Sequence, residues 1–156
     1  MKYRMLTTEE LQVFEEDLKQ FLIVNGVHSE EWEEMNKSNV EQATKLVELF
    51  SDSVLQKVYE KINFVEHRSV ESCMVFKFDE EAMQLISINA KEQGVVDLST
   101  PESIHESLTK KPNNLTIFKS QKPYDKEREE EVHEMIEQGC FISTEEFWKL
   151  LEEVLD

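Results

Sequence analysis

Glycine and proline are scarce in this chain, with three of each in 156 residues. So few backbone breakers exclude collagen-like and low-complexity architectures. They also leave no material for a Gly-rich phosphate loop or a Gly-x-Ser-x-Gly elbow. Cysteine is rarer still. Cys73 and Cys140 cannot make a disulfide scaffold and read as ordinary buried thiols. Long apolar runs are missing as well: Phe21-Leu22-Ile23-Val24 is far too short for a signal-peptide core or a membrane span. The expectation is a cytoplasmic protein that keeps off membranes. Of the four histidines, His28, His67, His105 and His133, none stands at metal-binding spacing from another His or Cys, so neither metal nor cofactor is expected. Positive charge is the last shortage. Seventeen Lys and Arg face 34 Asp and Glu, and the resulting formal charge of -17 repels phosphate, which excludes direct binding of nucleic acid.

Core material is present. Hydrophobic residues make up 39% of the chain and nine are Phe, enough to bury a core in one domain of this length. Charge is unevenly placed, since the last 32 residues hold twelve acids and three bases whereas residues 63–124 are nearly neutral. The middle segment gathers Lys77, Lys110, Lys111, Lys119 and Lys122 near Phe76, Phe118 and Tyr124. Lysine interleaved with aromatics suits single-stranded nucleic acid, but these phenylalanines alternate as core residues do, within a negative field.

The pattern predicts helices first. Thr7 and Glu10 form a capping box, with Leu6 and Leu11 as its hydrophobic staple, and Leu11, Phe14, Leu18, Phe21 and Leu22 follow at helical spacing to a stop at Asn25-Gly26. Ser29 is the expected cap of a short second helix with Trp32 and Met35 inward. A Ser38–Glu41 capping box opens a long third helix whose stripe runs from Ala43 to Ile62, weakened locally at Ser51-Asp52-Ser53. Period two then takes over. Strands are expected at Phe64–Arg68, Cys73–Phe78, Met83–Ile88 and Leu115–Lys119, with Lys91–Ser99 as loop. Thr100-Pro101 starts another short helix with Ile104 and Leu108 inward. Asp125 is the expected cap of a helix stopped at Gly139, and Ser143–Glu146 with Ile142 and Phe147 repeats the box and staple at the final helix. The predicted fold is a single α+β domain over 1–156. It is helix-rich, with N-terminal helices packed on a small, mainly antiparallel sheet of three to four strands and a C-terminal helix pair.

Met1-Lys2-Tyr3-Arg4, Leu6-Thr7, Glu9-Glu10-Leu11, Asn25-Gly26, Glu31-Trp32, Phe50-Ser51-Asp52 and Glu66-His67-Arg68-Ser69 together give the first 70 residues or so a recognisable character. On these residues the chain resembles a family of small acidic bacterial proteins with no assigned function. The resemblance implies a bacterial cytoplasmic protein and transfers no catalytic residue.

No motif carries a reaction. The function expected from charge is a non-catalytic interaction or regulatory protein that docks a basic protein partner through acidic helices. A nucleic-acid-binding protein is one such partner. Glu127, Glu129, Glu130, Glu131 and Glu134 are the candidate contact row. Glu66, His67 and Arg68 form a second cluster suited to an anion or a partner's carboxylate. The alternative is an enzyme whose site assembles from dispersed residues around Glu66, His67, Arg68 and Cys140. A third reading places binding on an apolar surface made by Trp32, Phe141 and Trp148. Oligomeric state is left open by the sequence.

Overall fold

The computed structural model describes residues 1–155 and is α+β, with seven helices and a five-stranded antiparallel sheet among them. The described chain divides into two compact units, Met1–Val58 and Tyr59 onward.

The first unit is helical: α1 (Thr8–Val13), α2 (Glu15–Val24), α3 (Ser29–Ser38) and most of α4 (Val40–Lys61). The Thr7–Glu10 capping box forms as predicted, and Arg4 grips the same Glu10 carboxylate through both guanidinium nitrogens at 2.8 and 3.0 Å. The helix expected to run unbroken to Asn25 instead breaks at Phe14, whose φ of -99° and ψ of 22° leave the helical region. Gly26, at φ 79°, supplies the left-handed stop, and the Val27 amide returns to the Leu22 carbonyl at 2.8 Å. Leu22, Val27 and Leu46 form the local core, with Leu18, Phe21, Trp32 and Met35 packed around it.

Two caps of this unit differ from expectation: His28, not Ser29, holds the cap position of α3, and Asn39 replaces Ser38 at α4. Ser38 ends α3, where its hydroxyl donates to the Glu34 carbonyl, and Asn39 caps α4 by accepting from the Gln42 amide at 3.3 Å. Ser51 and Asp52, read as a weak spot, are anchors. The Asp52 carboxylate accepts from the Lys2 and Tyr3 amides at 2.7 and 2.9 Å, and the buried Ser51 hydroxyl accepts from the Leu6 amide at 3.1 Å. These bonds tie the N-terminal segment to α4.

The second unit is built on the sheet β1 (Phe64–Arg68), β2 (Ser72–Phe78), β3 (Ala82–Ala90), β4 (Leu115–Pro123) and β5 (Phe141–Ile142), in spatial order β4-β3-β2-β1-β5. The sheet therefore has five strands rather than three or four, because Phe141 and Ile142 pair with Glu66 and Val65. Two residues are too few to announce a strand. Register places Glu66 opposite Val75, Arg68 opposite Cys73, and Val75 opposite Ile86. Directly opposed residues share a face, so Phe64, Glu66, Arg68, Cys73, Val75, Ile86 and Ile88 line one side. That side is the main core: Cys73, Val75, Ile86 and Ile88 pack with Ile104 of α5 (Pro101–Lys110) and with Trp148 and Leu151 of α7 (Glu145–Leu155). The loop at 91–99 forms as expected, and from it Val96 and fully buried Leu98 join this core.

Thr100 and Pro101 start α5 as predicted, with Ser103 completing the box. The final helix is capped one residue later than Ser143. The Thr144 hydroxyl accepts from the Phe147 amide, while the Ser143 amide donates to the Phe64 carbonyl at 2.9 Å and so prolongs the β5 ladder. Ile142 is 66% exposed, so the predicted staple with Phe147 gives way to an edge-strand side chain. The last two helices do not form a consecutive pair, because β5 separates α6 (Arg128–Glu137) from α7. Glu127, not Asp125, occupies the cap position of α6. Arg128 opens that helix with a role the sequence hides. Its guanidinium donates to the carbonyls of Tyr59 (3.1 Å), Ile62 (2.6 Å) and Phe78 (3.3 Å) and to Asn63 Oδ1 (3.1 Å), and lies 5.8 Å from the centre of the Phe78 ring.

Candidate functional site

Three places merit attention, and the first is the β1 cluster. In a strand, residues two apart share a face and the one between them does not. Accordingly Glu66 and Arg68 meet in a tight ion pair, while His67 points to the opposite side of the sheet. Glu66 is 7% exposed, and its Oε2 has no hydrogen-bond partner among the described residues. The Arg68 guanidinium lies 5.5 Å from the centre of the Phe147 ring. The thiol beside the pair is Cys73, whose strand register the sequence alone did not supply. Burial pushes the Cys73 thiol up to about 12, and the Glu66 charge adds to the effect while Arg68 opposes it. Burial also raises the Cys140 thiol above its usual range. Both sulfurs are thus held protonated, the poorly nucleophilic state.

The second place is α6, whose five candidate glutamates divide by role. Glu131 is buried, and its Oε1 accepts from the Asp125 and Lys126 amides at 2.9 and 3.3 Å. That carboxylate closes the turn ahead of the helix. Glu134 pairs with the Lys126 ammonium. Glu127 is exposed, and Glu129 and Glu130 are half-exposed in the first turn.

The third place was not singled out by sequence and lies wholly in the first unit. A groove of ≈ 390 Å³ runs between α2 and α3, with Leu22, Val27 and Trp32 on its floor and Glu16, its ion-pair partner Lys19, and Glu33 on its rim. Beside it α3 carries Glu30, Glu31, Glu33 and Glu34, all exposed. Among the described residues, none of these four has a cation within ion-pairing distance. Periodicity marked Trp32 and Met35 as inward, but only tertiary structure turns an inward stripe into the floor of a groove.

The remaining candidates resolve plainly. Trp148 is 1% exposed and belongs to the core, so it forms no apolar surface, whereas Phe141 is 72% exposed on β5. The lysines of the middle segment are engaged. Lys77, Lys110, Lys119 and Lys122 pair with Asp79, Glu106, Glu152 and Asp125, and Lys111 donates to the Val95 carbonyl. Among the described residues, no group of three or more His, Cys, Asp or Glu is placed to hold a metal ion, and no helix is long and apolar enough to cross a membrane.

This small α+β chain, with twice as many acidic as basic residues, falls within a known sequence class. It belongs to the family of unknown function DUF6495, whose model matches residues 1–156. No curated protein and no solved structure matches it.

Proposed function

We propose that the protein is a non-catalytic interaction protein of the cytoplasm that docks a basic protein segment on its acidic helices. The observation that carries this reading is α3, which carries four exposed glutamates without cation partners, one of them, Glu33, on the rim of a groove with an apolar floor. A basic amphipathic segment complements both features, because its apolar stripe fills the groove while its lysines and arginines meet the rim. Glu127, Glu129, Glu130 and Glu134 of α6 add to the net negative charge of the chain, which favours encounter with a basic partner, and Glu131 contributes to the loop rather than to docking. A nucleic-acid-binding protein is one source of such a segment.

The alternative enzyme around Glu66, His67, Arg68 and Cys140 draws less support. His67 faces away from the other two β1 groups, and both thiols are held protonated.

The test is fluorescence anisotropy with a labelled Lys/Leu amphipathic peptide, titrated from about 50 to about 300 mM salt. Affinity is expected to fall steeply with salt. Reversing Glu33, on the groove's rim, and Glu30 to Lys is expected to weaken binding by at least about tenfold, with Glu129→Lys/Glu130→Lys mainly slowing association. Binding that ignores both salt and the α3 reversals would refute the reading.

A further inference from the structure

The sheet has two edges, and they are unlike. β5 is two residues long, whereas β4 spans nine, Leu115–Pro123, and every residue from Phe118 to Pro123 is exposed. Which backbone groups of β4 point outward follows from one bond. The Lys91 amide donates to the Asn114 carbonyl at 2.9 Å, so 91 and 114 form a hydrogen-bonded pair of the antiparallel ladder. Stepping by two along the register, Thr116, Phe118, Ser120 and Lys122 spend their amides and carbonyls on β3. Ile117, Lys119 and Gln121 therefore aim theirs away from the sheet, where no further strand lies among the described residues, and so does the Leu115 carbonyl, the Leu115 amide being taken by the Pro112 carbonyl. Pro123 falls in the same outward set, where a missing N–H costs the ladder nothing.

We propose that this edge is a self-pairing surface, and that two copies of the chain join β4 to β4 in antiparallel register about a twofold axis through Phe118. The outward groups select that register. Centring the axis on Phe118 sets Leu115 against Gln121 of the second copy and Ile117 against Lys119 of the second copy. Every outward group that each strand has left, save the two Gln121 carbonyls, is then used, in about six hydrogen bonds. Side chains agree with the pairing. The two Phe118 rings, each 45% exposed in one chain, meet across the axis in a non-hydrogen-bonded pair, the closest kind. Thr116 stands opposite Ser120, and no lysine opposes a lysine. Charge is also settled locally, since β4 contains no acid and its two lysines are already paired in-chain, Lys119 with Glu152 at 2.9 Å and Lys122 with Asp125 at 3.5 Å. What resists the pairing is the long-range repulsion of two chains of charge -17. Added salt screens that repulsion and so tightens the dimer, the opposite of its effect on a basic partner. The inference does not depend on the docking proposal.

Sedimentation equilibrium of the native chain at about 50 and about 500 mM salt is expected to show a monomer–dimer equilibrium that shifts to dimer at high salt. Gln121→Pro keeps every bond to β3 and removes an outward donor, so it is expected to sediment as monomer while its circular dichroism stays native. Register is read in a Cys140→Ser background. Phe118→Cys is expected to give a disulfide-linked dimer under mild oxidation, because directly opposed non-bonded positions lie within disulfide reach. Thr116→Cys is expected to stay uncrosslinked, its two thiols lying about 13 Å apart along the strands. A native chain that is monomeric at both salts, a Gln121→Pro dimer of undiminished strength, or equal crosslinking at positions 116 and 118 would each overturn the proposal.

Discussion

Removing one half of the Glu66–Arg68 pair is expected to be far more damaging than removing both. Glu66 is 7% exposed, and the Arg68 side chain 22%. Arg68→Leu leaves a carboxylate in a mostly apolar layer between Val75 and α7, with its main compensating charge gone. Breaking a fully buried pair costs about 3–5 kcal/mol. Because Arg68 keeps some contact with water, the expected loss here is about 2–3 kcal/mol. Glu66→Leu/Arg68→Leu has no stranded charge and is expected to lie within about 1 kcal/mol of the native chain. The double variant also loses the guanidinium stacked on Phe147, so it controls for that contact. Urea unfolding reports the difference through Trp148, which sits in the same core, in a Trp32→Phe background that silences the other indole. With a slope of about 2 kcal/mol per molar urea, Arg68→Leu lowers the midpoint by about 1–1.5 M. A single variant within about 0.5 kcal/mol of native, or a double variant as unstable as the single, would refute the view that Glu66 is desolvated and held by Arg68.

Glu131→Ala strands two backbone amides and is expected to cost about 2 kcal/mol in the same assay, whereas Glu130→Gln on the same helix stays within about 0.5 kcal/mol. Ellman's reagent at pH 8 is expected to label Cys140 in the native chain and to reach Cys73 only after unfolding, because burial and the neighbouring Glu66 hold that thiol protonated; rapid labelling of both would contradict this. Arg4 and the Thr7 amide lower the Glu10 carboxyl from 4.5 to about 2. A depressed folded value means that the Arg4–Glu10 tie contributes fully above pH 4.5 and is lost as pH falls through about 2. Carboxyl-resolved NMR titration is expected to find the Glu10 midpoint near 2 and to move it upward in Arg4→Ala; an unchanged midpoint would exclude the guanidinium as cause.

Periodicity carried much of the fold. Alternation located β1, β2 and β3, because one buried face leaves a strand little freedom of register. The same alternation already separated His67 from Glu66 and Arg68, so reading them as one cluster overlooked a signal in plain view. Cap chemistry placed helix starts to within a residue or two. Asn39 displaced Ser38 and Thr144 displaced Ser143, since adjacent residues of equal capping ability are told apart only by where the chain turns. The break at Phe14 was invisible, as the apolar stripe passes through it. Glu131 was equally hidden. Nothing local distinguishes a glutamate that closes a loop from four neighbours of similar spacing. Likewise, the partnership of Cys73 with Arg68 needed strand pairing.

Arg128 gives the second unit a tie of a different kind from its many ionic ones. Its grip is on neutral oxygens, three of them from the backbone, and a guanidinium stays protonated throughout the accessible range. Acid that discharges carboxylates leaves this knot of helix end, strand end and helix start intact. In a chain so rich in glutamate, the most acid-proof fastening is thus one that uses none of them.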